Sequence, residues 1–346
     1  MFSLFSKRSI HTLRLNHSQH IVTLKPKETI LLAALRSGIG FPHNCRVGGC
    51  ASCKCKLVKG KVKELTESAY ILSEEELDQG YILACQSVPK SDIEIEVTLN
   101  DAVAKYVPKQ IDGLITEQDK LTNDITRLKI SLNEPIEYLA GQYVELCIPA
   151  LCSAVRAYSF AAPANKNQVE FYIREISGGE LSPLINSQNL INTRAEIYGP
   201  LGDFYLRDSN APLVCVAGGS GLAPIKALLH QALKYGVNRD VVFYMGARTQ
   251  QDLYCTDDLL TLANQWQGMF TYIPVLSQEP EDSSWQGQRG LVTDALSQRL
   301  TGKEHAYLCG PPLMIDAAIE VLNRHGVVAS HIYFDKFTSK ADVIAA

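Results

Sequence analysis

Residues Cys45–Cys55 read CRVGGCASCKC, which places four of the chain's ten cysteines in eleven positions. Cys45, Cys50 and Cys53 follow the spacing C-x4-C-x2-C, and Cys85 arrives 32 positions after Cys53. Three thiolates from one tight loop and a fourth from a separate segment is the plant-type spacing for a [2Fe–2S] cluster. Four thiolates must surround two irons, so the loop has to wrap closely with its N–H groups aimed at sulfur. Gly48 and Gly49 give it the backbone freedom to do so. A structural zinc site is the alternative. Zinc ligands usually come as paired C-x2–4-C knuckles, and Cys85 has no second cysteine near it. Cys55 stands apart from the set. Strand alternation in CKCKLV sends Lys54 and Lys56 to water and Cys55 inward, as a small buried hydrophobe.

The surrounding composition is that of an ordinary globular protein. The chain has 346 residues, 46% hydrophobic and 20% charged, enough for two or three domains with real cores. A net charge of −4 argues against nucleic acid as the partner. Residues 1–100 carry 13 Lys+Arg against 10 Asp+Glu, whereas the remainder carries 20 against 27. Arg46, Lys54, Lys56, Lys59, Lys61 and Lys63 crowd around the cysteine loop. They read either as a solvated basic loop or as a docking surface for an acidic partner. No apolar run of about 18 residues occurs, so no transmembrane helix is expected. The opening MFSLFSKRSI is too short for a secretory signal and reads as a frayed terminus or a short membrane-touching tail. A cytoplasmic, reducing location follows, where clustered cysteines mean metal or redox chemistry before disulfides.

Periodicity divides the chain further. Residues 1–100 mix hairpins with one short helix, ETILLAALRSG, and suggest a β-grasp-like domain; 101–108 look like a linker. Residues 109–208 hold strand-length runs such as DITRLKISL, GQYVELCIP and QVEFYIREI with turn signals between them, the pattern of a small antiparallel β-barrel. From 209 to 346 strands alternate with helices, from PLVCVAGG and APIKALLHQALKYG to HAYLCG and PLMIDAAIEVLNRHG, which predicts a doubly wound parallel sheet. The fold class is thus multidomain, α+β followed by α/β.

Within the barrel region lies RAYSFA, Arg156–Ala161, and then FYIREISGGELS, Phe171–Ser182. Here the chain resembles the ferredoxin–NADP reductase superfamily of flavoproteins, whose barrel carries R-x-Y-S. The resemblance implies FAD as cofactor, with Arg156 on its phosphates, Tyr158 against the isoalloxazine and Ser159 at N5. It also implies that Tyr172, Arg174, Gly178, Gly179 and Ser182 form the next flavin segment. AGGSGLAP, Ala217–Pro224, joins a strand to a helix and puts Gly218, Gly219 and Gly221 where a helix N-terminus can receive a pyrophosphate. It is not the G-x-G-x-x-G fingerprint. In this superfamily the cysteine of CGPP, here Cys309, lies by the nicotinamide and assists hydride transfer. YFDKF, with Asp335 and Phe337, is similar to the family's terminal acid-plus-aromatic segment, where many members have Glu.

The order ferredoxin, flavin barrel, nicotinamide domain resembles the reductase components of bacterial multicomponent oxygenases over residues 10–340. The implied route runs from NADH to FAD to the [2Fe–2S] cluster to an oxygenase, in one branch a membrane-bound non-haem di-iron hydroxylase acting on a hydrocarbon or aromatic. Arg248 is the only cation near the second strand of the nucleotide domain, which favours NADH over NADPH. The alternatives are the same chain of carriers serving a desaturase, a soluble ring-hydroxylating dioxygenase or a deoxysugar dehydratase. From another class comes a non-catalytic redox-sensing protein, which would be expected to lose Arg156, Ser159 or Cys309.

Overall fold

The computed structural model describes residues 11–338. The expectation for the N-terminal tail falls outside them. Among the described residues, chain contacts define two compact units, one running from His11 to Pro108 and including Thr338, the other Lys109–Phe337.

In the first unit, β1 (His11–Leu15) and β2 (His20–Leu24) form an antiparallel hairpin. Its turn runs through Asn16, His17 and Ser18, all at positive φ. Next come α1 (Ile30–Arg36), β3 (Lys54–Lys59), β4 (Val62–Glu64), α2 (Glu74–Asp78), β5 (Tyr81–Leu83), β6 (Ser87–Pro89), β7 (Ile93–Glu96) and the one-turn α3 (Asp101–Ala104). The mixed sheet has the order β2-β1-β7-β3-β5, and β4 pairs separately with β6. Thr29 caps α1 by accepting from Leu32 N, and Gly38 at φ +70° lies just beyond its end. Its buried face, from Ile30 to Leu35, joins Leu13, Leu15, Ile93 and Ile95 of the sheet in the interior. One helix against a mixed sheet is the expected β-grasp arrangement. Two helices went unread. α2 is fixed by a capping box between Ser73 and Glu76, and α3, capped by Asn100, occupies part of the stretch read as a linker.

The second unit opens with the antiparallel strands β8 (Lys109–Lys120), β9 (Ile125–Leu132), β10 (Tyr143–Cys147), β11 (Arg156–Ser159), β12 (Gln168–Arg174) and β13 (Arg194–Leu201), with α4 (Ser182–Ser187) before β13. Their order is β11-β10-β13-β8-β9-β12. A bridge between Phe160 and Phe171 brings the first and last of these together, so the sheet closes into a barrel. Leu128, Ile130, Val144, Phe160, Phe171, Ile173 and Ile197 fill it.

Then β14 (Leu213–Gly218), α5 (Leu222–Lys234), β15 (Val241–Ala247), α6 (Thr256–Gln265), β16 (Phe270–Leu276), β17 (Gln288–Arg289), α7 (Val292–Leu296), β18 (His305–Gly310), α8 (Pro312–Arg324) and β19 (Ile332–Lys336) build an all-parallel sheet of order β17-β16-β15-β14-β18-β19. Residues of α5 and α6 pack with one face of the sheet, and residues of α7 and α8 with the other. The order reverses between β14 and β18. That switch point opens at the carboxyl ends of both strands, where doubly wound sheets take their ligands.

Candidate functional site

The cysteine loop has no regular secondary structure because its backbone is bent to another purpose. Arg46 (φ +58°), Gly48 (φ +85°) and Ala51 (φ +57°) turn it back on itself. A side chain at Gly48 would start 2.8 Å from Gln86 Cγ, so glycine is required there. The bends aim N–H groups at sulfur. Gly49 N donates to Cys45 Sγ at 3.3 Å and Cys85 N to Cys53 Sγ at 3.5 Å. Val47 N adds a second bond to Cys45, Ser52 N faces Cys50, and Gly48 N reaches Cys85. Gln86 Nε2 lies 3.5 Å from Cys85 Sγ and 3.2 Å from the Arg46 carbonyl.

The four thiols form two contacting pairs, Cys45 with Cys50 and Cys53 with Cys85. In each pair one thiol donates a hydrogen bond to the other. Hydrogen bonding from Cys45 lowers Cys50, against burial, while the same contact and burial hold Cys45 above its ordinary range. Likewise, the bond from Cys53 lowers Cys85, and that bond together with burial raises Cys53. Among the described residues, no three Cys, His, Asp or Glu side chains converge on one point as ligands of a single ion. Two sulfur pairs bordered by N–H donors fit two metal centres better than one, which matches the donor set of a [2Fe–2S] cluster. Cys55 is 1% exposed and pushed up to about 12 by burial, as a core cysteine should be. The basic residues are partly matched by acids. Lys54 pairs with Glu76, and Lys56 and Lys59 stand opposite Glu96 and Glu94 across the β3–β7 ladder.

On the barrel, strand alternation puts Arg156 and Tyr158 on one face of β11 and Ser159 on the other. Arg156 pairs with Glu180, which ties it to the Gly178–Ser182 turn. Gly178 is at φ +71°, and the Ser182 hydroxyl accepts from Ile176 N at 3.0 Å, which fixes that turn ahead of the short α4. Tyr158 is half-buried against the barrel core, and burial pushes its hydroxyl up.

Tyr172 and Arg174 precede that turn, on β12. They share the face of β12 that meets the nucleotide domain. Tyr172 is buried there, its hydroxyl 3.4 Å from Cys255 Sγ and its ring edge-on to Tyr254. Arg174 lines a crevice of about 210 Å³ at the carboxyl edge of the parallel sheet, together with Gly218, Gly219, Arg248, Ser277 and Pro311. Its Nη1 would lie 3.1 Å from a side chain at Gly219. Arg174 and Arg248 both hold Asp124, at 3.0 and 3.1 Å, and Arg248 also holds Asp252 at 2.6 Å. The Tyr254 hydroxyl donates to Gly219 O at 2.8 Å and anchors the turn before α5.

Gly221 has a different reason to be glycine. A side chain there would meet the Cys309 carbonyl oxygen at 2.3 Å. Gly218 is similarly closed by Met314 Sδ at 2.7 Å. These contacts weld the β14–α5 turn to the end of β18 and place Cys309 at the switch point. Cys309 is fully buried and lies in register with Asp335 on β19. Burial, reinforced by the Asp335 charge, pushes its thiol well above the ordinary range. Asp335, 7% exposed, accepts from the Ser159 hydroxyl at 3.4 Å. Phe337 N extends the ladder by donating to Gly310 O at 2.9 Å, and its side chain packs on the core shared by barrel and nucleotide domain. A hydroxyl from the barrel thus meets a carboxylate of the nucleotide domain, and that carboxylate stands beside a neutral thiol.

Comparison with known proteins agrees with this layout. Residues 13–90 match the 2Fe-2S iron–sulfur cluster binding domain, 112–205 the oxidoreductase FAD-binding domain and 215–320 the oxidoreductase NAD-binding domain. The xylene/toluene monooxygenase electron transfer component of Pseudomonas putida is 43% identical over 318 residues, covering 90% of this chain and 89% of its own. This chain belongs to the iron–sulfur flavoprotein reductase family of oxygenase systems. The phenol 2-monooxygenase reductase component of Pseudomonas sp. (strain CF600) is 36% identical and covers 93% of each chain. The crystal structure of an Amycolatopsis cytochrome P450 reductase superposes with a TM-score of 0.83 at 31% identity, covering 95% of this chain and 99% of its own. The reductase therefore carries [2Fe–2S]-, FAD- and NAD-binding domains. No helix among its described residues is long and apolar enough to cross a membrane.

Sequence reading of this reductase missed Asp124, Tyr254 and the pairing of Ser159 with Asp335. Asp124 sits in LTNDITR, which looks like any turn. Only the closed barrel brings it to the crevice.

Proposed function

We propose that this reductase takes a hydride from NADH where Ser159, Asp335 and Cys309 converge and delivers single electrons through Cys45, Cys50, Cys53 and Cys85 to an oxygenase component. The convergence carries the reading, because it joins the barrel residue expected at the flavin to the cysteine expected at the nicotinamide. When bound, FAD accepts two electrons as a hydride and releases them singly, and a [2Fe–2S] cluster carries one at a time.

The chain's own residues do the rest. Asp335 holds the Ser159 hydroxyl in one orientation. Cys309 stays a neutral thiol, so it packs against an incoming ring without attacking it as a thiolate would. Arg156 and the Gly178–Ser182 turn receive the flavin phosphates, and Tyr158 supplies an aromatic face. Arg174 serves the nicotinamide nucleotide in this reading, since it faces the crevice with Gly218 and Gly219. Cys45 with Cys50 would hold one iron, and Cys53 with Cys85 the other. Domain limits of 1–100, 101–108, 109–208 and 209–346 are supported by the start of β8 at Lys109 and of β14 at Leu213. The proposed partner is a hydrocarbon or aromatic hydroxylase held at the membrane, and the relative named for xylene and toluene supports that substrate class.

NADH is favoured because Arg248 is already neutralised by Asp124 and Asp252, which leaves no unpaired cation for a 2′-phosphate among the described residues lining the crevice. The test is steady-state reduction of ferricyanide with each nucleotide. NADH should give the higher kcat/KM by about 100-fold; comparable values would overturn the preference.

A further inference from the structure

Four charged side chains line the nucleotide crevice: Asp124, Arg174, Arg248 and Asp252. Asp252 belongs to Arg248, four residues earlier in the chain, and is locked by Thr249 N and Oγ1 at 3.0 and 3.1 Å. Asp124 is of another kind. It comes from the β8–β9 turn of the barrel, yet its Oδ2 accepts from both Arg174 Nε and Arg248 Nη2. Its other oxygen is held by the Thr122 hydroxyl at 3.0 Å. Arg174 in turn lies over Gly219, at the mouth of the turn that leads into the 13-residue α5. The carboxylate therefore fills the anion position between two guanidiniums beside a helix N-terminus, where a phosphate group would be drawn.

We propose that Asp124 is a built-in anion that the pyrophosphate of the nicotinamide nucleotide has to displace from Arg174. The proposal rests on the reading of this crevice as the nicotinamide-nucleotide site. In the empty crevice the carboxylate keeps both arginines partnered and ties the barrel turn to the end of β15. When a nucleotide arrives, its diphosphate takes over the Arg174 fork, while Arg248 keeps Asp252. After hydride transfer the carboxylate competes for the same fork and helps expel the oxidised nucleotide. Asp124 is thus a positioning residue that limits nucleotide affinity in favour of turnover.

The test is equilibrium binding of NAD+ to the FAD- and cluster-loaded full chain by isothermal titration calorimetry. Asp124→Asn is nearly isosteric and can keep the Thr122 contact; Asp124→Ser is a second arm in case the first folds poorly. Each partner of Asp124 is a partly exposed ion pair, so affinity for NAD+ should rise about fivefold. It should also fall more steeply with salt, KM for NADH should drop, and kcat should drop with it as release slows. Arg174→Ala should weaken NAD+ binding. If Arg174→Ala weakens binding but both Asp124 variants leave it unchanged or weaker, the built-in anion is wrong and the crevice reading survives. If Arg174→Ala also has no effect, the crevice reading fails with it.

Discussion

The cysteine loop and the nucleotide crevice both stabilise charge, and they do it with different materials. In the loop the donors are backbone N–H groups of Val47, Gly48, Gly49, Ser52 and Cys85, set by bends at Arg46, Gly48 and Ala51. In the crevice the charges are carried by side chains, Arg174, Arg248, Asp124 and Asp252, drawn from the barrel and the parallel sheet. Backbone donors cannot rotate away, so the loop presents one geometry to one kind of guest. Side-chain ions can exchange partners, so the crevice can accept a ligand, react and let it go. A resident group belongs in the first setting and a substrate in the second.

The largest effect expected from that contrast lies in the loop. Cys50→Ser should cut NADH-driven reduction of a one-electron protein acceptor such as cytochrome c by more than about 100-fold. Ferricyanide reduction, which draws on the flavin, should stay within about twofold of wild type. Parallel loss of both activities would mean that the loop supports folding as well as electron delivery. A smaller, graded effect is expected at the convergence. Cys309→Ala should slow flavin reduction by NADH in the stopped flow by about 10- to 100-fold, while NAD+ affinity changes little. Equal losses in rate and affinity would make Cys309 a binding residue only.

The smallest effect concerns the ion pairs that join α5 to α6. Lys226 on α5, mostly buried, pairs with Asp258 of α6 at 2.9 Å, and His230 reaches the same carboxylate at 3.2 Å. The His230 bond first, then Lys226, hold the Asp258 carboxyl well below the usual carboxylate range. A depressed carboxyl stabilises the fold above its unfolded value of about 4, and that contribution is lost as pH falls through the folded value. Asp258 is 40% exposed, so after solvent screening Asp258→Asn should cost only about 1 kcal/mol near neutral pH. The gap in Tm from wild type should narrow in acid. A gap that widens there would show that Asp258 is not held ionised by these partners.

What could be read from sequence follows the same division. The loop announces itself because its candidate ligands lie within one segment plus Cys85, and the parallel sheet because its periods alternate over more than a hundred residues. Strand alternation alone turned Cys55 inward, and it is buried. The barrel was legible, but which residues close it was not, since the Phe160–Phe171 bridge joins strands that are not sheet neighbours elsewhere. That closure fixes which face of β12 meets the nucleotide domain, and so sends Arg174 to the crevice. Asp335 was noticed but had no evident role until β19 placed it beside Cys309 and within reach of Ser159, 176 positions away.

The contact between Gly221 and the backbone of Cys309 has a consequence for how this chain can drift. The obstructing atoms at 2.3 and 2.5 Å are a carbonyl oxygen and its carbon, which cannot swing aside as a side chain can. Any larger residue at 221 would have to shove the end of β18, and with it the thiol, out of place. Position 221 is therefore frozen by a neighbour 88 positions downstream. Variation there should be tolerated only when the strand end changes with it.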